Sequence, residues 1–429
     1  MTSGTEGTQR AALRRELDLR GAVSLGIGGT VGGGIYVLVG AAAGDAGPGA
    51  LLAFALAFLA SLLIALPYAE LACRYPLAGG GYAFARAVLG RHIGFLMGWG
   101  FWGAYLFISG YVTLGFGGYL EAVTGLPTIA GALSLIAACL ALNLLGVRVT
   151  GAAQTVVIAV ALAGLLAFAD WGLQSVDLQR LNPFFPSGLE GVLLASLLAF
   201  LAFGGFDMVA AAGEEIEHPE RNLPRAILIT LGAVFGIYLL VCFVALGALP
   251  SDELGASSAP LADAAERFGG AQARGVVVFT ALLTTAATAN AVLGVTSRIS
   301  FAMARDGLLP TALAPVNSAG APWAALVLSA LLLAVVAATG SVAFAAAAGG
   351  FLYVLHFVVP LVALIALRRR GPLGASAFRT PMARLTLPLA FLACAVLLVA
   401  SGADGTAGGL SWLALGALGY RFAGQAQGG

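Results

Sequence analysis

Long runs without a charged residue dominate this sequence and restrict the surroundings in which it can fold. Residues 342–367, for example, contain no Asp, Glu or Arg, and a helix needs roughly 20 mostly apolar residues to cross a bilayer. Of the 429 residues, 60% are hydrophobic and 10% are charged, a balance that no water-soluble fold requires. Because backbone polar groups find no water in hydrocarbon, and because the runs do not alternate like barrel strands, the sequence predicts an all-α membrane protein embedded in the lipid bilayer.

Windows free of charge, bounded by Arg, Pro, Gly and acidic residues, predict about 12 transmembrane helices. A leader (1–20) precedes these helices and a tail (423–429) follows them. The predicted spans cover residues 21–43, 48–70, 93–120, 127–147, 151–169, 191–213, 226–249, 275–300, 323–339, 342–367, 385–402 and 408–422.

The arginines predict how the chain is oriented. All 21 basic residues are arginine, and in this topology only Arg180, Arg267 and Arg274 lie on the side opposite the leader. Cytoplasmic loops carry the excess of positive charge, so leader and tail are both predicted to be cytoplasmic in a multi-pass protein of the plasma (inner) membrane. The longest outer loop contains the amphipathic segment 261–268, which is interpreted either as a lid over an outer vestibule or as a surface helix without a gating role.

The first span carries an unusual density of glycine. Six of the nine residues from Gly26 to Gly34 are glycine, and each costs a continuous helix roughly 0.5–1 kcal/mol relative to alanine. Close packing between membrane helices is one explanation. The other is a broken helix, whose second half begins near Gly32 and offers free backbone N–H groups to a carboxylate.

The sixth span repeats this pattern at Phe203–Asp207, where two glycines and an acid interrupt an apolar run. Unwound backbone there would expose carbonyl groups, which suit an ammonium group. Two interrupted helices at corresponding positions indicate a midplane site between two inverted repeats of five helices, here residues 21–169 and 191–367, with two additional helices in 385–422. For Asp207, a structural carboxylate bonded to nearby groups and a functional acid both remain open.

The sequence lacks the motifs of enzymes and of nucleic-acid binding. It has no P-loop, no Gly-x-Ser-x-Gly turn and no His-Glu-x-x-His pair, and its basic loops are too scattered for nucleic acid. The four cysteines lack paired metal-ligand spacing. His356 with Tyr353 is open to two interpretations, a proton relay or a hydrogen-bonded pair between helices. No enzymatic function and no cofactor other than a coupling ion are predicted.

Four ordered motifs resemble the amino acid-polyamine-organocation transporter superfamily, over about Arg20 to Leu398. The first is Gly26-Ile-Gly-Gly-Thr-Val-Gly-Gly-Gly-Ile-Tyr36, and the second runs from Tyr68-Ala-Glu-Leu to Gly-Gly-Gly-Tyr82. The third runs from Leu201 to Ile227, with Leu201 and His218 as small departures. The fourth is Ser297-Arg to Leu-Pro310. The resemblance implies five-plus-five inverted repeats with broken helices 1 and 6, followed by two further helices.

The resemblance also implies where a substrate binds. Backbone N–H groups of the first break would hold the substrate carboxylate, carbonyl groups of the sixth span would meet its ammonium group, and an aromatic side chain would close over it as a gate. The N–H groups lie near Thr30, Gly32, Gly33 and Gly34, the carbonyls belong to Leu201, Ala202 and Gly204, and the gate is Phe206.

Two departures from relatives bear on substrate and coupling ion. The third helix has Ala104 at the position where transporters of the cationic amino acid branch have an acidic residue, which favours neutral substrates. Ala161 lies where many proton-coupled relatives have a lysine, so that route to proton coupling is missing. Sodium-coupled transporters of this architecture use two hydroxyls of the eighth helix with carbonyls of the first. The matching residues are Gly26, Gly29, Ala281, Thr284 and Thr285. Sodium binding and hydrogen bonds within the helix are both open for the threonines.

The function expected from these observations is secondary active transport of amino acids, most simply neutral ones, by alternating access. The alternatives are an amine or polyamine transporter, or an amino acid exchanger of the same fold, so symporter and antiporter are both open. A different class is a membrane receptor that binds an amino acid without moving it. The sequence carries no signal for an oligomeric state.

Overall fold

The computed structural model of the protein describes residues 17–74, 88–146, 151–213, 215–369 and 378–426. Most of the predicted leader, the end of the second motif (Tyr75–Tyr82) and the last three residues of the tail lie outside these ranges. Within them the chain is helical, and its one β-type contact is an isolated bridge between Leu17 and Ile216. The prediction of an all-α protein is confirmed for this part of the chain.

Fifteen α-helices, numbered here in chain order, make up the described structure. They are α1 (Leu19–Thr30), α2 (Gly34–Ala46), α3 (Ala50–Arg74), α4 (Arg91–Thr124), α5 (Thr128–Leu144), α6 (Gly151–Leu173), α7 (Gly188–Ala202), α8 (Phe206–Ala211), α9 (Pro219–Ala248), α10 (Ser251–Ala256), α11 (Pro260–Arg305), α12 (Trp323–Ala338), α13 (Val342–Arg369), α14 (Ala383–Ala400) and α15 (Gly402–Ala426).

Every predicted span coincides with helix. In the described chain, eight helical stretches are long and apolar enough to cross a membrane, and α5 and α12 are shorter apolar helices. The protein is therefore a multi-pass membrane protein. The number twelve and the inverted repeat stay predictions.

The first and sixth spans are each divided into two helices. The first span forms α1 and α2, separated by Val31–Gly33, and the sixth forms α7 and α8, separated by Phe203–Gly205. The second interruption touches the end of α1, because a Cβ on Gly205 would lie 2.4 Å from the carbonyl carbon of Gly29. Gly205 also has a φ of 122°, a conformation that only glycine adopts without strain.

Helix packing places these interruptions inside the bundle. α2 packs against α7, α3 packs against both α7 and α9, and α4 packs along α11 and α13. The first and sixth spans thus lie side by side, as do the second and seventh. This arrangement is compatible with two repeats and leaves the interrupted segments enclosed by α4, α11 and α13.

The outer segment 261–268 forms the first part of α11, which is interrupted by a kink with non-helical backbone angles at Gly270, and Leu261 is fully buried. The preceding Ser258 carbonyl approaches α4 so closely that a Cβ on Gly118 would lie 2.4 Å away. The apolar face of this segment packs against the bundle while Glu266 and Arg267 are exposed, so a lid and a surface helix without a gating role both stay predictions.

The C-terminal ends of α3 and α13 and the start of α14 lie on the side of the bundle that the arginines predict to be cytoplasmic. This side is called the inner end below. There the carboxylate of Glu70 in α3, whose side chain is 0% exposed, accepts hydrogen bonds on one oxygen from Arg74 at 2.7 and 3.2 Å. Its other oxygen accepts from Arg368 of α13 at 2.5 Å and from the backbone N–H and hydroxyl of Thr380 at 2.8 and 2.6 Å. This network ties α3 and α13 to the segment before α14.

Two indoles fasten the last helix, α15, to α4. Nε1 of Trp99 donates to the carbonyl of Trp412 at 2.7 Å, and Nε1 of Trp412 donates to the carbonyl of Trp99 at 2.9 Å. The rings stack with centroids 4.9 Å apart. Gly103 and Gly416 make room for them, because a Cβ at either position would lie within 2.4 Å of the partner ring.

Candidate substrate-binding site

A small cavity of ≈ 50 Å³ lies where the two helix interruptions meet. Backbone from both interruptions forms one part of its wall, and side chains of α4, α8, α11 and α13 form the rest. The lining residues are Gly29, Thr30, Gly32, Gly34, Tyr105, Ile108, Tyr111, Val112, Leu201, Ala202, Gly204, Gly205, Met208, Thr288, Val292 and Tyr353.

Six of the eight residues predicted to bind substrate lie in this wall. They are Thr30, Gly32, Gly34, Leu201, Ala202 and Gly204. The structure thus brings together backbone from positions about 170 residues apart in the chain, as two interrupted helices at a shared site require. The binding role of these residues stays a prediction.

The N–H groups of the first interruption are largely engaged within the protein. Gly32 donates to the carbonyl of Thr30 at 2.8 Å, and Gly33 donates to the hydroxyl of Thr288 at 3.1 Å. Gly33 itself is not a lining residue. Gly34 is the first residue of α2, so its N–H has no acceptor within its own helix. The residue Gly34 lines the cavity.

Two hydroxyl groups that the sequence did not single out hold this interruption in place. Thr288 of α11 accepts from Gly33, while Tyr238 of α9 donates to the carbonyl of Thr30 at 2.9 Å. Thr288 follows Thr284 by one helical turn, and this spacing was the only sequence signal for it. Tyr238 gave no signal, because its partner lies 208 residues away.

Asp207 stands at the edge of the cavity with its carboxylate oxygen Oδ1 bound on two sides. It accepts from the backbone N–H of Gly205 at 3.2 Å and from the hydroxyl of Tyr353 at 2.9 Å, and the hydroxyl of Tyr105 also reaches it. These contacts match the structural interpretation of Asp207, since the carboxylate is bonded to nearby backbone and hydroxyl groups. They also place two tyrosines, both lining residues, across the cavity wall.

Phe206, the predicted gate, does not line the cavity. Its ring is fully buried and stacks on Phe357 of α13, with centroids 5.2 Å apart and planes at 21°. A gating movement would have to break this packing. The aromatic groups at the cavity in this conformation are Tyr105, Tyr111 and Tyr353.

His356, one turn beyond Tyr353, is buried and stacks on Phe101 at 4.1 Å. Among the described residues, neither ring nitrogen has a hydrogen-bond partner. The interpretation as a hydrogen-bonded pair between helices holds for Tyr353, whose hydroxyl donates to Asp207 of α8, but not for His356, whose ring lies parallel to that of Tyr353 with centroids 6.4 Å apart.

The hydroxyls proposed for sodium are bonded within their own helix. Thr284 donates to the carbonyl of Thr280 and Thr285 donates to that of Ala281, both at 2.6 Å. The Gly26 carbonyl accepts from Thr30 at 2.9 Å.

The five candidate ion ligands also face different neighbours. A Cβ on Gly26 would meet Thr230 of α9, whereas one on Gly29 would meet Met208 of α8. Thr285 instead borders Gly33, where a Cβ would lie 2.8 Å from its methyl group. A hydroxyl that donates its hydrogen within the helix keeps oxygen lone pairs for a cation, so sodium binding by these residues stays a prediction.

A multi-pass helical protein whose two interrupted helices enclose a backbone-lined cavity has the architecture of a membrane transporter. Residues 21–405 match the amino acid permease family, and the chain belongs to this family. The predicted superfamily is thereby confirmed, and the protein is a transporter rather than an enzyme.

The names of three similar proteins state different substrates. The branched-chain amino acid permease BcaP of Bacillus subtilis is 30% identical, over 95% of this chain and 93% of the relative. The methylthioribose transporter of the same organism is also 30% identical, over 86% and 85%. Human cationic amino acid transporter 4 is 33% identical over 71% of this chain, which spans 52% of that longer protein.

Proposed function

We propose that this protein is a secondary active transporter of neutral amino acids that works by alternating access. The observation that carries the proposal is the cavity at the two helix interruptions. Its wall combines backbone polar groups with apolar and phenolic side chains, and none of its lining residues is charged.

Recognition of the amino acid's common part would rest on the backbone. The N–H of Gly34 at the start of α2 lies where the helix dipole favours a carboxylate. Opposite it, α7 ends at Ala202. The carbonyl of Leu201 accepts from Gly204 at 3.0 Å, whereas that of Ala202 is among the last of the helix, which lack partners within it. Such carbonyls suit an ammonium group. Gly32 and Gly33 would join the carboxylate site only after releasing their present acceptors.

Selectivity for the side chain would come from the apolar part of the wall. Ile108 and Val112 of α4, Met208 of α8 and Val292 of α11 face the cavity. A cationic side chain would have to be desolvated against these groups, which is costly without an acid. The similarity to a branched-chain amino acid permease supports the same conclusion.

A cationic or amine substrate is the second candidate, favoured by one observation. The carboxylate of Asp207 lies beside the cavity, behind the hydroxyl of Tyr353. An ammonium group that displaced this hydroxyl would meet the acid directly. Because Oδ1 of Asp207 also accepts from the backbone N–H of Gly205, such binding would compete with a contact that holds the turn before α8.

The size of the cavity supports a conformational cycle. Its ≈ 50 Å³ is well below the roughly 300–1,000 Å³ of pockets that hold small ligands. A second, outer cavity of ≈ 520 Å³ lies between α2, α4 and the segment around Ser258. Binding therefore requires the helices around the interruptions to separate, and alternating access follows if they separate on one side at a time.

For energy coupling, we propose amino acid exchange, with sodium symport as its alternative. The hydroxyls of Thr284 and Thr285 donate within α11 and the Gly26 carbonyl accepts from Thr30, contacts that leave oxygen lone pairs for a cation. We further propose that the protein lies in the plasma membrane with both termini in the cytoplasm, as the distribution of arginines indicates.

The test is counterflow into proteoliposomes preloaded with leucine, using labelled leucine, lysine and putrescine outside. Accumulation of leucine alone is expected. Accumulation of lysine or putrescine instead would favour the second candidate, and binding without any counterflow would indicate a receptor.

The backbone site is tested by Gly34→Ala. The added methyl would lie 3.4 Å from Cα of Ala202 and 3.6 Å from the hydroxyl of Tyr111, so it fits without a clash but occupies the cavity. We expect at least a tenfold rise in KM for leucine. Gly232→Ala in α9 is the matched control, because a Cβ there meets nothing within 4 Å. Equal transport by both variants would contradict the proposed site.

A further inference from the structure

A cavity of ≈ 480 Å³ lies at the inner end of the bundle and is separate from the proposed substrate site. We call it the inner crevice. It lies between the end of α5, the start of α6, α11 and the loop before α12, and its polar side chains include Asn143, Gln154, Asn290 and Arg298. It shares no lining residue with the central cavity.

Both cavities border α11. Thr288 and Val292 line the central cavity, whereas Gly294 and Arg298, further along the helix towards its inner end, line the inner crevice. Because the two sets of lining residues do not overlap, the crevice is a separate site.

One wall of the crevice is held rigidly by Asn317. Its side-chain amide donates to the carbonyl of Leu144 at the end of α5 at 2.8 Å, while its side-chain oxygen accepts from the backbone of Ala319 and Ala321 at 3.1 and 2.9 Å. Gly146 has a φ of 70° and borders this loop, where a Cβ would lie 2.9 Å from the Ala319 carbonyl oxygen. The crevice is therefore a built feature of the fold.

The hydrogen-bonding capacity of the crevice is only partly used. The amide of Asn143 donates to the carbonyl of Cys139 and to the side-chain oxygen of Asn290, both at 2.8 Å. Arg298, an exposed residue, takes part in none of the ion pairs found in the described chain. A guanidinium group with five donors therefore faces the crevice without an anionic partner from the described residues.

The position of Arg298 indicates where such a partner would come from. It precedes the end of α11 at Arg305 by seven residues, or about 10 Å along the helix, a depth at which a long side chain reaches lipid headgroups. On the helices beside the crevice, Leu145 and Val156 are 70% and 61% exposed, as expected of surfaces that face lipid. The crevice thus lies at a lipid boundary.

We propose that the inner crevice binds a phosphate group, that of an anionic lipid of the inner leaflet. A guanidinium binds phosphate through two parallel hydrogen bonds, and basic pockets between membrane helices on the cytoplasmic side hold anionic headgroups. The side-chain amides of Asn290 and Gln154 supply further donors. Bound lipid would hold α6 and α11 together beside the loop anchored by Asn317.

Thermal unfolding of the purified, full-length protein in detergent tests this site. The melting temperature is measured against rising concentrations of dioleoylphosphatidylglycerol, dioleoylphosphatidylcholine or inorganic phosphate. The variant Arg298→Gln removes the guanidinium, and Arg305→Gln is the matched control, because Arg305 lies on the same helix over the ring of Phe301 and outside the crevice. Gln154→Leu provides a second variant that keeps the arginine.

Phosphatidylglycerol should raise the melting temperature of the wild type and of Arg305→Gln, and phosphatidylcholine should not. Arg298→Gln should need at least tenfold more phosphatidylglycerol for the same effect, and Gln154→Leu should need several-fold more. Stabilisation by inorganic phosphate that equals that of the lipid and is lost in Arg298→Gln would support the phosphate site and assign it to free phosphate. Identical lipid responses in all four proteins would overturn the proposal.

Discussion

Replacing Glu70 by glutamine should destabilise the protein more than any loss of a surface ion pair. The glutamine keeps the shape of the side chain but removes its charge, and one acceptor oxygen becomes a donor. Arg74 and Arg368 would then lose the carboxylate that both of them contact. The groups that donate to one of its two oxygens would face the NH₂ group of the glutamine, which cannot accept. Because the carboxylate is 0% exposed, water cannot take its place.

The magnitude follows from the contacts. Removing one partner of a buried ion pair costs about 3–5 kcal/mol. Arg368 is 29% exposed and Arg74 is 8% exposed, so partial hydration of the arginines places the cost near the lower figure. About 3 kcal/mol corresponds to a fall of roughly 5 °C or more in melting temperature for a domain of 150–250 residues, and somewhat less for this longer chain.

The assay is thermal unfolding of the detergent-purified protein, monitored by tryptophan fluorescence. Glu253→Gln is the matched control, because its ion pair with Arg267 joins two side chains that are 50% and 57% exposed. Such exposed pairs contribute about 0–1 kcal/mol, so the control should shift the melting temperature by about 1–2 °C at most. Equal shifts for the two variants would refute the assignment of Glu70 as a buried anchor.

Two further predictions concern the central site. Thr288→Val removes the acceptor of the Gly33 N–H while keeping the side-chain volume, and an unpaired buried donor costs about 1–3 kcal/mol. The KM for leucine should therefore change at least fivefold in uptake assays. Thr296→Val is the control, because it loses only a bond within α11, and it should transport like the wild type. A larger change in KM for Thr296→Val than for Thr288→Val would show that Thr288 does not hold the Gly33 N–H in place. The double variant Thr284→Ala, Thr285→Ala should leave the ion dependence of counterflow unchanged when counterflow is measured in sodium and in choline buffers. Stimulation by sodium in the wild type but not in the double variant would support sodium binding at the two threonines.

The sequence contained enough information to predict both helix interruptions. Glycine clusters are costly in a continuous helix, so Gly26–Gly34 and Gly204–Gly205 marked the places where backbone leaves helical geometry. The interruptions lie at Val31–Gly33 and Phe203–Gly205, within a residue or two of the prediction. Local backbone energetics are a property of neighbouring residues, which explains this agreement.

Contacts between residues far apart in the chain could not be predicted from the sequence. Thr288 accepts from a residue 255 positions away, and Arg368 pairs with one 298 positions away, so no local pattern announces either contact. Phe206 shows the same limit, because the family pattern gives its position in the chain, whereas the direction of its ring depends on packing against Phe357.

The reciprocal bonds between Trp99 and Trp412 have a consequence for the biogenesis of the protein. Membrane helices are inserted in chain order during synthesis, and 313 residues separate the two indoles. The indole of Trp99 therefore stays without this hydrogen-bond partner until α15 has been inserted. An indole N–H left unpaired within the membrane costs free energy, so α4 takes its final packing only once α15 is in place.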